Sequence, residues 1–186
     1  MPAKSKAQLP CVALLRGINV GGKNRLPMKD LAAMFTGAGA SDVSTYIQSG
    51  NVAFKATPAL IDRIPDLITL QIEKQFKLRV PVILRTGDEL AATAAANPFL
   101  GPSADLDQLS VMFLATAPTP ASVADLDPQR SPPDEFVVRG REVYLRFPNG
   151  QGKSKLTNEY FDRKLETTGT VRNWRTLQKL IELTRG

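Results

Sequence analysis

A chain of 186 residues, 42% hydrophobic and 6% aromatic, carries enough apolar material for a sizeable core and reads neither as a membrane span nor as a disordered chain. With no histidine and a single cysteine, Cys11, it excludes an intramolecular disulfide, the histidine-dependent triads, the zincins and most catalytic zinc sites, so no metal or cofactor is expected. Charge is uneven: 12 basic against 5 acidic residues over 1–86, 1 against 8 over 87–135, and 11 against 5 over 136–186, which makes net basicity a weak argument for nucleic acid. Met1 to Gln8 is polar and lacks the apolar core of a signal peptide, so a cytoplasmic location without membrane attachment is expected.

In chain order, residues 11–16 form an apolar strand closed by Gly17. Met28, Leu31, Ala32 and Phe35 then recur at helical spacing after Pro27, a favourable first helical residue, and Gly37 and Gly39 end that helix. Residues 43–48 and 51–55 alternate around Ser49-Gly50 as a hairpin with a two-residue loop, pairing Ile47 with Val52, Thr45 with Phe54, Tyr46 with Ala53 and Gln48 with Asn51. Ile64, Ile68, Ile72 and Phe76 form one helical row, with Pro65 marking a kink or a fresh start in a longer candidate from Pro58. The closing strand spans 80–85, and Pro81 assigns it to a sheet edge. In a βαββαβ sheet of order 4-1-3-2 the fourth strand is an edge.

An alanine-rich helix, 89–96, ends at Asn97-Pro98, and a similar order follows. Residues 110–115 are a strand, Thr119-Pro120 opens a short helix, and 127–133 is a proline-rich connection. Residues 136–139 and 142–147 form a hairpin around Gly140-Arg141, with Arg139 facing Glu142 and Glu135 facing Arg146. Leu156, Tyr160 and Leu165 mark a helix, 169–172 a strand, and Trp174, Leu177, Leu180 and Ile181 a terminal helix. The fold class is α+β: two tandem ferredoxin-like plaits with antiparallel sheets, residues 1–86 and 87–186, the second with extra helices.

The stretch from Arg16 through Gly17, Asn19, Gly21, Gly22 and Lys23 to Asn24 fits seven positions of a phosphate-binding G-x-x-x-x-G-K loop. Asn24 stands where the magnesium-binding hydroxyl belongs, and Pro27 delays the helix, which argues against a nucleotide triphosphatase. A tight turn built on three glycines is one reading; a loop that binds an anion with Arg16, Lys23 and Arg25 is another. Gln48, Ser49 and Asn51 at the hairpin tip suit turn chemistry, with Asn51 tolerating a strained exit, or, with Tyr46, meet that loop as donors for a polar ligand. Lys153, Ser154, Lys155 and Thr157 open a helix, either because Ser154 caps it or because a helix N-terminus with lysines suits an anion. Asn173 caps the last helix with Trp174 in the core and solvated arginines, or else Lys155, Arg172 and Arg175 complete an interdomain cleft.

The strings ALLRGINVGGKN (13–24), TYIQSGNV (45–52), SKLTN (154–158) and TVRNWRT (170–176) resemble the signature stretches of the bacterial domain-of-unknown-function family 1697. The resemblance spans nearly the whole chain and implies the two-plait architecture; it supplies no reaction.

Together these residues suggest a protein that binds an anionic or polar ligand at the glycine-rich loop, through Arg16, Asn19, Gly21, Gly22, Lys23, Asn24, Tyr46, Gln48 and Asn51, with Lys155 and Arg172 from the second half. Catalytic residues are not identified. An enzyme acting on a phosphorylated small molecule would use Lys23 or Lys155, with Tyr46 as an acid; a third class is a module in which these motifs join the two halves or bind a protein. Recognition of RNA by the usual plait mode needs aromatics on the first and third strands, and only Phe54 is there, in the core register. Backbone binding of nucleic acid by the basic loops stays open. Cys11, on a central strand without a histidine partner, is a poor nucleophile.

Overall fold

The structure, a computed structural model, describes residues 7–185; of the stretch read above for a signal peptide, residues 1–6 lie outside the described residues. The chain is α+β, with two four-stranded antiparallel sheets and seven helices among the described residues, consistent with two plait-like subdomains in tandem. It divides into two compact units, one holding the chain up to Leu90 together with the segment from Leu180, the other Ala91–Lys179. The division falls inside α4 (Gly87–Ala95) and inside α7 (Trp174–Arg185). No described helix is long and apolar enough to cross a membrane.

In the first unit β1 (Leu9–Leu15) lies between β3 (Asn51–Ala56) and β4 (Val82–Thr86), and β2 (Ser41–Tyr46) forms the far edge. Cys11, Ala13 and Leu15 project from one face of β1, and Val52, Phe54 and Ala56 join them from β3. Onto this face pack Leu31 and Phe35 of α1 (Met28–Gly37) and the Ile64, Ile68, Ile72 row of α3 (Ile64–Phe76), each worth about 2 kcal/mol of burial. Pro65 in the first turn of α3 gives a fresh start rather than a kink, after the short α2 (Pro58–Ile61). β4 begins at Val82, just after Pro81, and is an edge strand, as a residue without an amide hydrogen requires.

The first hairpin departs from its expected register. Thr45 pairs with Val52 and Tyr46 with Asn51, so the loop is the four residues 47–50, not Ser49-Gly50, and Ile47 is exposed instead of paired. The cause is tertiary. The Gly50 carbonyl accepts the Leu15 amide at 2.8 Å, and its α-carbon lies so close to Leu15 and Ile18 that a Cβ there would sit 2.7 Å from Leu15 Cβ. Gly50 is thereby held against β1, and the chain reverses earlier, through Ile47 at φ 50° and Gly50 at φ 79°. A shift of two residues keeps Thr45 and Tyr46 on their expected faces.

In the second unit β5 (Leu109–Leu114) lies between β7 (Glu142–Arg146) and β8 (Gly169–Asn173), with β6 (Glu135–Arg139) at the edge beyond β7. Met112, Leu114, Val143 and Leu145 face a cluster of Tyr160, Phe161 and Leu165 from α6 (Asn158–Leu165); Val123 of α5 (Pro120–Ala124) packs on its border. The β6–β7 register is the expected one, with Glu135 opposite Arg146, their ion pair at 2.6 Å, and Arg139 opposite Glu142. The start of α6 corrects the expected cap. Ser154 Oγ accepts only the Leu156 amide within its own turn, whereas Thr157 Oγ1 accepts the Tyr160 amide at 3.2 Å and caps the helix, a bond worth about 1 kcal/mol. Asn173 caps α7 through the Thr176 amide at 2.8 Å, and Trp174 is buried.

Candidate functional site

Between β1 and α1 the chain folds back on itself as a miniature hairpin. Val20 and Lys23 are bridged, the Lys23 amide donating to the Val20 carbonyl at 3.0 Å, and the two residues between them, Gly21 and Gly22, have φ of 56° and 74°. Positive φ at both central positions is what a tight hairpin turn demands, and glycine supplies it without strain. The G-x-x-x-x-G-K spacing therefore serves a turn: the Lys23 amide, which a phosphate cradle would aim at a ligand, is committed to the hairpin.

Asparagines brace this loop. Asn19, in the left-handed region at φ 55°, donates its side-chain amide to the Leu26 carbonyl at 2.9 Å and the Gln48 carbonyl at 2.8 Å, while its Oδ1 accepts the Leu26 amide at 2.9 Å. Asn24, also left-handed, donates to the Gly17 carbonyl at 2.8 Å. Asn51 is fully buried and donates to the Tyr46 carbonyl and to Ser49 Oγ, closing the 47–50 loop from beneath. It sits in regular strand; the strain it was expected to absorb falls on Ile47. A short polar side chain that tolerates left-handed backbone suits these bracing roles.

The loop and the hairpin tip meet at Asn19, which the placement of the first and third strands as neighbours allows, through the Gln48 carbonyl and not its side chain. Beside that junction lies a shallow concavity of about 370 Å³ lined by Asn19, Gly22, Arg25, Leu26, Pro27 and Gln48. Lys23 and Arg25 are exposed, Arg16 is half-buried with its amide on the Pro81 carbonyl at 3.1 Å, and Tyr46 is half-buried. No acidic residue occurs before Asp30. Leu26 and Pro27 were not among the sequence candidates; their signal was the proline that starts α1, whose side chain cannot cap the first-turn amides.

The remaining candidates belong to the second unit. Lys155 is exposed, its amide donating to Ser131 Oγ at 3.0 Å and its carbonyl accepting from Arg130, whose guanidinium lies 4.3 Å from the centre of the Tyr160 ring. Arg172 is buried instead of solvated, with Nη1 on Thr170 Oγ1 at 2.8 Å and the Val171 carbonyl at 2.9 Å, and burial pulls its pKa down to about 10. Arg175 is exposed and forms a two-pronged ion pair with Asp107, at 2.7 and 2.9 Å. Among the described residues no group of three or more Cys, Asp or Glu side chains is placed to hold a metal ion.

Cys11 is buried on β1, and desolvation, then the negative charge of Glu89, push its thiol from 9.0 up to about 12. It is inert at neutral pH. The unfolded chain loses this proton near pH 9 while the folded chain retains it, so the folded state binds more protons and stability falls as pH rises from 9 toward 12. Cys11→Ala should lack this component: urea midpoints at pH 8 and pH 10 should show the wild type losing about 1 kcal/mol more than the variant.

The sequence profile of a family described as proteins of unknown function, DUF1697, matches residues 10–144. The chain belongs to this family. Its solved relatives include the conserved bacterial protein SP0830 from Streptococcus pneumoniae, 22% identical, covering 96% of this chain and 99% of that one with a TM-score of 0.69. At that identity the likeness speaks for the fold alone. No curated protein matches the chain.

Proposed function

We propose that this DUF1697 protein binds a small molecule bearing a phosphate or carboxylate group at the concavity between the 16–27 loop and Gln48, and that each of its units is a ferredoxin-like plait. The observation that carries the reading is a braced loop beside an opening of metabolite size, about 370 Å³, with the exposed cation Arg25 in its wall and Lys23 next to it. The backbone is held by Asn19 and Asn24, so an anion meets a preformed surface and little ordering opposes binding. Labour is divided within the motif: Asn19, Asn24 and Asn51 brace, while Lys23, Arg25 and the Gln48 side chain face the ligand.

Titration calorimetry with inorganic pyrophosphate at low salt tests this. Arg25→Ala and Lys23→Ala should each weaken binding by about tenfold, the value of one charge-assisted hydrogen bond, with the melting temperature unchanged. Absence of saturable binding, or variants that bind like the wild type, would contradict the reading.

A further inference from the structure

Exposed sheet edges invite pairing, and proteins commonly guard them with bulges, prolines or short strands. In the first sheet the edge strand β2 is guarded: its register with β3 shifts between Ser41 and Ser44, and Asp42 has a φ of 50°. The edge strand β6 of the second sheet has neither a bulge nor a proline within it. Its five residues pair with β7 in unbroken register, Glu135 and Arg139 are exposed, and Phe136, Val137 and Val138 are half-buried. Because the β6–β7 loop is the two residues Gly140 and Arg141, Arg139 and Glu142 form a hydrogen-bonded pair, and by alternation the backbone groups of Phe136 and Val138 point away from β7.

The sequence of this edge, Glu135-Phe136-Val137-Val138-Arg139, is complementary to itself when reversed. We propose that β6 pairs antiparallel with β6 of a second copy of the chain, about a two-fold axis through Val137, joining two sheets into one. The register obeys the parity of the ladder. Val137 meets its own copy as a non-hydrogen-bonded pair on the axis, and the outward backbone groups of Phe136 bond those of Val138 in the second copy. Glu135 then lies opposite Arg139 of the second copy. Since Glu135 is already bound to Arg146 on β7 and Arg139 lies opposite Glu142, the paired edge carries two rows of alternating charge: Arg146, Glu135, then Arg139 and Glu142 of the second copy, and the same in reverse. Centring the axis on Phe136 sets Glu135 against Val137 and Arg139 against Pro133, and centring it on Val138 sets Arg139 against Val137.

Space for the partner is present. Where β6 begins, a cavity of about 360 Å³ is lined by Phe99, Pro132, Asp134, Glu135, Phe136 and Val137. Antiparallel pairing carries the Gly140-Arg141 turn of the second copy past Glu135 toward this cavity, bringing a cation to its acidic wall.

Sedimentation velocity over micromolar to near-millimolar protein should show reversible dimers. Glu135→Arg and Arg139→Glu each set like charges opposite one another across the axis, so each variant alone should sediment as a monomer, while an equimolar mixture restores a heterodimer by opposing complementary charges. Val137→Cys places two thiols about 4.5 Å apart at the Cα atoms, so mild oxidation should cross-link it much faster than a Lys74→Cys control on the exposed face of α3. A wild type that stays monomeric with no preferential Val137→Cys cross-linking, or a dimer that persists in both charge variants, would overturn the proposal.

Discussion

Gly50→Ala should destabilise the protein by about 3 kcal/mol in urea unfolding. The new methyl would sit 2.7 Å from Leu15 Cβ and 2.8 Å from Ile18 Cδ1, at a φ of 79° that disfavours any side chain. Leu15 is fully buried on a central strand and Ile18 nearly so, so neither can withdraw cheaply. Overpacking of this kind costs about 1–3 kcal/mol, and left-handed backbone adds about 1 kcal/mol. The substitution should also weaken pyrophosphate binding, since the displaced 47–50 loop carries the Gln48 carbonyl that holds Asn19. Gly22→Ala is the comparison: at φ 74° with no atom within 4 Å, it carries the backbone strain alone and should cost about 1 kcal/mol. Equal losses in the two variants would show that close packing at Gly50 does not set the loop.

Phe161→Ala should have the largest effect in the second unit, about 4 kcal/mol, the usual scale for removing a fully buried ring. The ring stands edge-on to Phe136 at 5.5 Å and to Tyr160 at 5.2 Å, so its loss leaves a cavity between β6 and α6 and removes two aromatic contacts. Tyr160 also presents its hydroxyl to the Asp127 amide at 2.9 Å and its ring to Arg130, which ties the proline-rich connection to the same helix. Urea unfolding should show a lowered midpoint, and Phe161→Leu should recover about half of the loss by refilling most of the volume. A loss below about 1 kcal/mol for Phe161→Ala would mean that the cluster collapses around the vacancy.

Local chemistry made much of this fold readable. Pro65 marked a helix start or a kink, Pro81 could only border an edge strand, and Gly140-Arg141 between strands of matched charge determined the β6–β7 register by itself. The 47–50 loop was not readable, because its length is decided by Gly50 resting on Leu15 and Ile18, residues more than thirty positions earlier. The helix cap went to Thr157 instead of Ser154 for a related reason: 151–153 forms a separate 3-10 turn, and both residues obey the same capping preference. At the candidate site the fold gives the motif's asparagines a task other than the expected one. Asparagines that looked like ligand donors turn their amides to backbone carbonyls, and Arg172, which read either as solvated or as part of a cleft, is buried by its strand position. Where each side-chain amide points is a property of the folded chain.

Amide chemical-shift mapping of the uniformly 15N-labelled protein, titrated with inorganic pyrophosphate at low salt, tests the central claim most directly. Saturable shifts concentrated at Gly21, Gly22, Lys23, Arg25 and Gln48, and lost in Arg25→Ala, are the result expected from a braced loop that presents cations beside a small opening. Shifts that are non-saturable, or that spread over basic side chains throughout both units with none favoured at this loop, would contradict it.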